Sequence, residues 1–291
     1  MNILITGAKG QLGTELSGFF KRGATPFGTP SFLKGAHRVV ETDADELDIT
    51  DRKAVLSFCE REKIGIVFNC AAYTNVNKAE SDEALAFAVN AAGAENLALA
   101  MHAAGGRYIL VSTDYVFDGE KGSPYVEEDA CRPLGVYGRS KRLGEELSLK
   151  ACPNTAVMRT AWLYGRSGNN FLKTVQRVCT EKGAMRVVND QFGSPTFTED
   201  LAYHMLLLAD RPECGVFHAT CEGVCTWYEF AAEIARLSGI AAQISPCTTE
   251  EYPTPVKRPA YSVLENARLK ALGLNFFRSW RQALSAYFAE N

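Results

Sequence analysis

Three residues of this chain have the types and the spacing for carbonyl reduction. Tyr137 and Lys141 stand four apart in Tyr-Gly-Arg-Ser-Lys, one helical turn, so both side chains leave the same face. A phenol keeps its proton up to a pKa of about 10, and a neighbouring ammonium favours the phenolate and lowers that value. The pair therefore reads as a proton donor tuned toward neutral pH. Tyr-x-x-x-Lys alone arises by chance in long chains. Its weight here comes from Val111-Ser-Thr-Asp-Tyr-Val-Phe117 before it, an apolar strand with a hydroxyl, Thr113, at its tip.

These residues need a scaffold, and the chain supplies one from its first residues. Asn2–Thr6 is a short apolar run suited to a central parallel strand. Gly7-Ala-Lys-Gly10-Gln-Leu-Gly13 follows, then an amphipathic stretch to about Arg22. Strand, glycine turn and helix make the entry to a dinucleotide site. Gly7 permits the tight turn, Gly10 lets backbone approach a diphosphate, and Gly13 lets helix pack on strand. Residues 24–36 read as a surface loop. Further strands are expected at His37–Thr42, Ile64–Asn69, Tyr108–Ser112 and Thr155–Arg159, with helices between them. Alternating β and α elements predict an α/β fold with a doubly wound parallel sheet, Rossmann-like, that binds ligand at the carboxyl ends of its strands. Thr6, Asp43, Ala72 and Thr113 all fall at such ends. Asp43 is either a hydrogen-bond acceptor for an adenosine ribose, disfavouring a 2′-phosphate, or a solvated turn residue. Ile49 either borders an adenine or joins the core. Asn90, inside a long helix, either faces solvent or bonds neighbouring backbone. Trp162, just past the fifth strand, is either core or the wall of a sugar site.

After Gly165 the pattern loosens. A helix is expected from Asn170-Phe171 to about Lys182 and a strand at Arg186–Val188. Thr198 is expected to cap the helix Glu199–Ala209, and Val216–His218 to form a short strand. Thr226-Trp-Tyr-Glu229 and Ser279-Trp-Arg-Gln282 are capping boxes. The division expected is residues 1–165 as the dinucleotide-binding domain and 166–291 as mainly a smaller substrate-binding lobe, with parts returning to the sheet.

Composition narrows the field. The net charge is −3 and no cluster of Lys and Arg marks a nucleic-acid surface. No apolar run of membrane length stands out. With Met1 leading straight into a strand, no signal peptide is expected, and the location expected is cytoplasmic. The nine cysteines are scattered without a zinc spacing, and read as reduced thiols packed as small hydrophobes.

The residues resemble the extended short-chain dehydrogenase/reductases over nearly the whole chain. Within them the likeness is to the branch that reduces a dTDP-linked 4-keto-6-deoxy sugar, the last step of dTDP-L-rhamnose synthesis. It rests on Gly-Ala-Lys-Gly-Gln-Leu-Gly (7–13), Cys-Ala-Ala-Tyr-Thr (70–74), Ser-Thr-Asp-Tyr-Val-Phe-Asp-Gly (112–119), Tyr137-Gly-x-x-Lys141 and Arg-Thr-Ala-Trp-Leu-Tyr-Gly (159–165). Gly-Asn-Asn-Phe (168–171), Asn-Asp-Gln (189–191) and Lys-Arg-Pro (257–259) extend it. The resemblance implies Thr113, Tyr137 and Lys141 as catalytic residues. It implies that NADH or NADPH is held by Gly7, Gly10, Gln11, Leu12, Gly13, Asp43, Asp48, Ile49, Ala71, Ala72, Tyr73, Thr74 and Val111, with Tyr137 and Lys141. The nucleotide sugar would meet Thr113, Asp114, Trp162, Asn170, Gln191 and Arg258. Its diphosphate needs a cation, and Arg258 or Lys257 is the candidate, the alternative for both being a solvated loop charge. Some members bind Mg²⁺ through carboxylates at a dimer contact. Glu15 matches one such ligand, without a full set. A homodimer is the expected assembly.

Two other readings use the same scaffold. A 4,6-dehydratase of this type follows Thr-Asp with Glu, and here Tyr115 stands instead; a 4-epimerase would retain NAD⁺ tightly. A non-catalytic NAD(P)-binding regulatory subunit need not keep the Thr113/Tyr137/Lys141 set.

Overall fold

The computed structural model describes residues 1–289. Five apolar runs become the parallel strands β1 (Asn2–Thr6), β2 (Arg38–Thr42), β3 (Ile64–Asn69), β4 (Arg107–Thr113) and β5 (Thr155–Thr160). The central four are buried almost throughout, which is why they read as unbroken hydrophobic runs. Between them lie the helices α1 (Gln11–Arg22), α2 (Arg52–Arg61), α3 (Glu83–Ala103) and α4 (Val136–Ala151). Beyond residue 165 come α5 (Phe171–Lys182), β6 (Ala184–Val188), α6 (Thr198–Ala209), β7 (Gly215–His218), α7 (Trp227–Leu237), β8 (Gln243–Cys247) and α8 (Trp280–Ala289).

The main sheet has six strands in the order β7-β5-β4-β3-β1-β2, all parallel. The order reverses between β1 and β3, and a crevice opens at the carboxyl ends there, as in doubly wound sheets generally. β7 pairs with β5, so the C-terminal half does return a strand to the sheet, and α6 packs on α1. Alternate residues of each strand feed two cores. Ile3, Ile5, Phe68 and Met158 face α1 and α6, while Leu4, Val67, Leu110 and Val157 face α2 and α3.

Several local expectations need correction. The loop at residues 24–36 is not all surface: Phe32 and Leu33 are buried, and Phe32 packs on Phe68 and His37. Thr198 is the first residue of α6 rather than its cap, and Phe197 precedes it without a side-chain cap. β8, a parallel partner of β6, was not foreseen. Both capping boxes form: Thr226 with Glu229, and Ser279 with Gln282. The helix α3 has the length and hydropathy of a membrane span, although no single apolar run announced it, and more than half of it is buried between the sheet, α2 and α4. That burial accounts for its composition.

Candidate active site

A single cavity of about 930 Å³ runs along the strand ends. Its floor begins at the glycine turn. Gly7 has φ +64°, and a Cβ there would lie 2.7 Å from the Ala71 nitrogen, so only glycine lets β1 turn this close to the loop after β3. A Cβ on Gly13 would lie 2.3 Å from the Gly7 carbonyl oxygen, and Gly13 serves helix packing without lining the cavity. The helix α1 starts at Gln11 with no acid in its first turn and no side-chain cap, which leaves its amide end open to an anion. A cradle this shape, which any Cβ would fill, fits a dinucleotide diphosphate.

The remaining cofactor candidates line the same cavity: Gly10, Gln11, Leu12, Asp43, Asp48, Ile49, Ala71, Ala72, Tyr73, Thr74 and Val111. Asp43 is half-buried there and accepts hydrogen bonds from the Lys9 and Ala44 amides at 3.1 Å. Ile49 is 6% exposed and belongs to the core while also lining the cavity.

Asn90 resolves clearly, and it is a positioning residue that sequence reasoning left open. Its side chain accepts from the Tyr73 amide at 2.8 Å and donates to the Tyr73 carbonyl at 3.0 Å and the Ser140 hydroxyl at 3.0 Å. It pins the Ala71–Thr74 turn to α4. A π-helical segment, Ala88–Gly93, turns Asn90 inward, and Gly144 makes room, since a Cβ there would lie 2.1 Å from the Asn90 carbonyl oxygen.

Thr113, Tyr137 and Lys141 converge on the cavity. Thr113 ends β4, and α4 carries the other two. The Thr113 hydroxyl lies beside the Tyr137 phenol and favours its ionised form. The expected tuning by Lys141 is not what this geometry gives. Burial pushes the Tyr137 phenol up, opposed by Thr113, while the Lys141 ammonium donates to the Val111 carbonyl at 2.6 Å. Burial lowers Lys141 itself to about 8, and Glu145, one turn along, partly restores it. Glu145 is fully buried between Arg159, Arg142 and Ser112.

Asp114 is 2% exposed, and burial pushes its carboxyl up to about 6, against the pull of the Ser262 and Thr113 hydroxyls. The Tyr115 ring stands edge-on to Tyr137 at 5.6 Å, and its hydroxyl contacts Arg258. The structure separates the two candidate cations. Arg258 lines the cavity with its Nε buried and lacking a partner among the described residues, whereas Lys257 is exposed and lies 3.9 Å from Glu120.

Three candidates deserve separate placement. Trp162 lines the cavity, and its φ of +48° is unusual for a bulky residue. Asn170 also lines it, yet its amide caps α5 through the Lys173 nitrogen and donates to Gln11 and Gly165. Gln191 is buried off the cavity and donates to Thr249 at 3.0 Å. The family resemblance implied a place for it at the sugar. In the fold all three side chains are loop staples: Asn189 takes the Thr226 hydroxyl, and Asp190 takes Thr249. Trp227, Phe171 and Arg258 complete the wall, and Trp227 had been read only as a residue after a cap.

Glu15 does not present a fit for Mg²⁺. Arg22 lies 3.4 Å from it, the neighbouring Glu199 is held by Arg166 and Arg278, and no group of three or more metal-binding side chains converges among the described residues.

The family model described as "RmlD substrate binding domain" matches residues 1–291. A dTDP-4-dehydrorhamnose reductase of Streptomyces griseus is 42% identical over 292 residues, covering 98% of this chain and 92% of the relative. The crystal structure of a dTDP-4-dehydrorhamnose reductase from Clostridium acetobutylicum superposes with TM-score 0.94 at 43% identity, covering 100% of this chain and 99% of the other. That of the Bacillus anthracis enzyme in complex with NADP gives 0.92 at 34% identity, with 100% and 99% covered.

Proposed function

The chain belongs to the family described as the RmlD substrate binding domain, and from that membership we propose that it is an oxidoreductase that reduces dTDP-4-dehydro-L-rhamnose to dTDP-L-rhamnose with NADH or NADPH. The observation that carries this reading is the meeting of Thr113 and Tyr137, with Lys141 one turn on, in the same cavity as the Gly7–Gly13 cradle. Gly7, Gly10, Asp43 and the Ala71–Thr74 turn would hold NADH or NADPH, which would supply the hydride for C4 of the sugar. The Tyr137 phenol gives its proton to the oxygen that becomes the 4-hydroxyl, and is reprotonated from solvent. Thr113 hydrogen-bonds the same carbonyl oxygen and polarises it. The buried, unpartnered Arg258 Nε faces the substrate diphosphate. Lys141 holds β4 through the Val111 carbonyl and would bond the nicotinamide ribose. Tyr115 where a dehydratase carries Glu leaves no acid for water loss, which favours reduction over dehydration. Nine unpaired cysteines support a reducing, cytoplasmic setting.

The test is loss of reduced-cofactor absorbance with dTDP-4-dehydro-L-rhamnose, each cofactor in turn. Turnover is expected with wild-type protein. Tyr137→Phe should fold normally and lose about 10²- to 10⁴-fold in kcat. Near-normal turnover in that variant would overturn the assignment of the proton donor.

A further inference from the structure

Trp162 is held by one element of the C-terminal half. Against one side lies Gly193, where a Cβ would sit 2.3 Å from the indole Cε2 and 2.6 Å from Nε1. The other partner is Trp227, whose ring stacks on Trp162 with centroids 3.5 Å apart and planes 8° from parallel. The two holders are not independent. Phe192–Gly193 pairs antiparallel with Cys225–Thr226, in the register Gly193 with Cys225, and Trp227 follows directly. Trp227 is fixed in turn. Thr226 caps α7 with Glu229, the Thr226 hydroxyl donates to Asn189 at 2.7 Å, and Phe171 stands edge-on to the indole at 4.6 Å. A left-handed backbone at a bulky residue persists only where its surroundings impose it. The Trp162 carbonyl accepts from the Thr196 amide at 3.3 Å, and the two-strand element packs on its ring.

We propose that Gly193 and Trp227 are positioning residues that set the angle of the Trp162 indole, and through it the face of the keto sugar turned toward the hydride. The inference rests on the proposed reduction of a 4-keto nucleotide sugar. A flat aromatic wall beside Thr113 and Tyr137 leaves a pyranose one way to lie. Both indoles line the cavity, so a change at Trp227 alters the shape of the sugar end while leaving the Gly7–Gly13 cradle untouched. Packing of the two rings also explains why glycine is needed at 193, a position without positive φ.

The experiment compares wild type, Trp227→Ala, Trp227→Phe and Gly193→Ala with dTDP-4-dehydro-L-rhamnose, measuring kcat and KM and assigning the C4 configuration of the product by NMR. Dissociation of NADH or NADPH is followed separately by titration without sugar. Trp227→Ala and Gly193→Ala are expected to raise KM for the sugar by about tenfold or more, and to yield a detectable fraction of the C4 epimer. Cofactor affinity should stay within about twofold. Trp227→Phe, which keeps an aromatic plane, should return most of the stereochemical purity. Unchanged KM with a single product in Trp227→Ala overturns the proposal. So does an equal loss of cofactor and sugar binding in the variants, which marks a merely structural role. If Trp227→Ala does not fold, Gly193→Ala and Trp227→Phe carry the same comparison. A wild-type protein that fails to oxidise either cofactor with this sugar sinks the underlying reading and this inference with it; active wild type with unaltered variants sinks the inference alone.

Discussion

Lys141→Met should leave the protein inactive yet no less stable at neutral pH. The Lys141 amine is buried, and burial lowers it from 10.5 to about 8. At about 1.4 kcal/mol per pH unit, holding the ammonium inside costs roughly 3 kcal/mol at pH 7 relative to an unshifted lysine. That figure already includes the pull of Glu145. The Lys141 Nζ donates to the Val111 carbonyl at 2.6 Å, and Glu145 lies one turn along. A methionine of similar length removes the buried charge but strands that carbonyl, at roughly 1–3 kcal/mol. The balance lies between neutrality and a gain of about 2 kcal/mol. The pH dependence gives a sharper signature. Between pH 8 and 10.5 the unfolded amine keeps its proton while the buried one has lost it. The unfolded chain then binds more protons, so this residue makes wild-type stability rise with pH across that window. Lys141→Met should lack that rise. Urea unfolding at pH 7 and 9 measures both effects, with activity assayed in parallel. A variant several kcal/mol less stable than wild type at pH 7, or one with the wild-type slope, would refute the claim that Lys141 is a destabilising residue kept for chemistry.

Arg258→Ala should raise KM for the nucleotide sugar by about tenfold or more, while Lys257→Ala stays within about twofold, since Arg258 lines the cavity and Lys257 is exposed beside Glu120. Steady-state kinetics on both variants checks this. Asp114, with its carboxyl pushed up to about 6, should give kcat/KM a titration near that pH which Asp114→Asn abolishes. The folded value lies above the unfolded one, so this group's contribution to stability falls as pH rises from 3.8 through 6, and the same substitution should flatten that slope too. Asn90→Ala should weaken cofactor binding several-fold and lower the melting temperature, because it frees both backbone groups of Tyr73, as titration and thermal scans would show.

What the chain disclosed in advance follows the range of the forces involved. The parallel sheet was legible because strands buried on both faces must be apolar throughout, and because glycine at 7 answers a purely local demand of backbone geometry. Thr113, Tyr137 and Lys141 were legible because a strand tip and one helical turn fix their directions. Residues whose meaning depends on a distant partner were not. Asn90 needs a π-helical turn and the space at Gly144, more than fifty positions later, before its amide can hold the Tyr73 backbone. Gln191 and Asn170 carry the same amide chemistry as a ligand contact, and only the fold shows it spent on Thr249 and on the cap of α5.

The Trp162 site shows how the two kinds of information join. One indole after a strand could be core or wall, and its own sequence neighbours do not decide between them. The decision comes from Gly193 and Trp227, each unremarked alone, brought onto Trp162 by four residues of antiparallel pairing. The Gly7–Gly13 turn is thus built from contiguous chain, and the Trp162 wall of the cavity from segments that meet only in the folded molecule. A substitution in Gly7–Gly13 acts on its own backbone and reaches cofactor first. A substitution at 193 or 227 acts through packing and reaches sugar first. The two halves of the crevice should therefore be separable by mutation, even though one continuous cavity contains both.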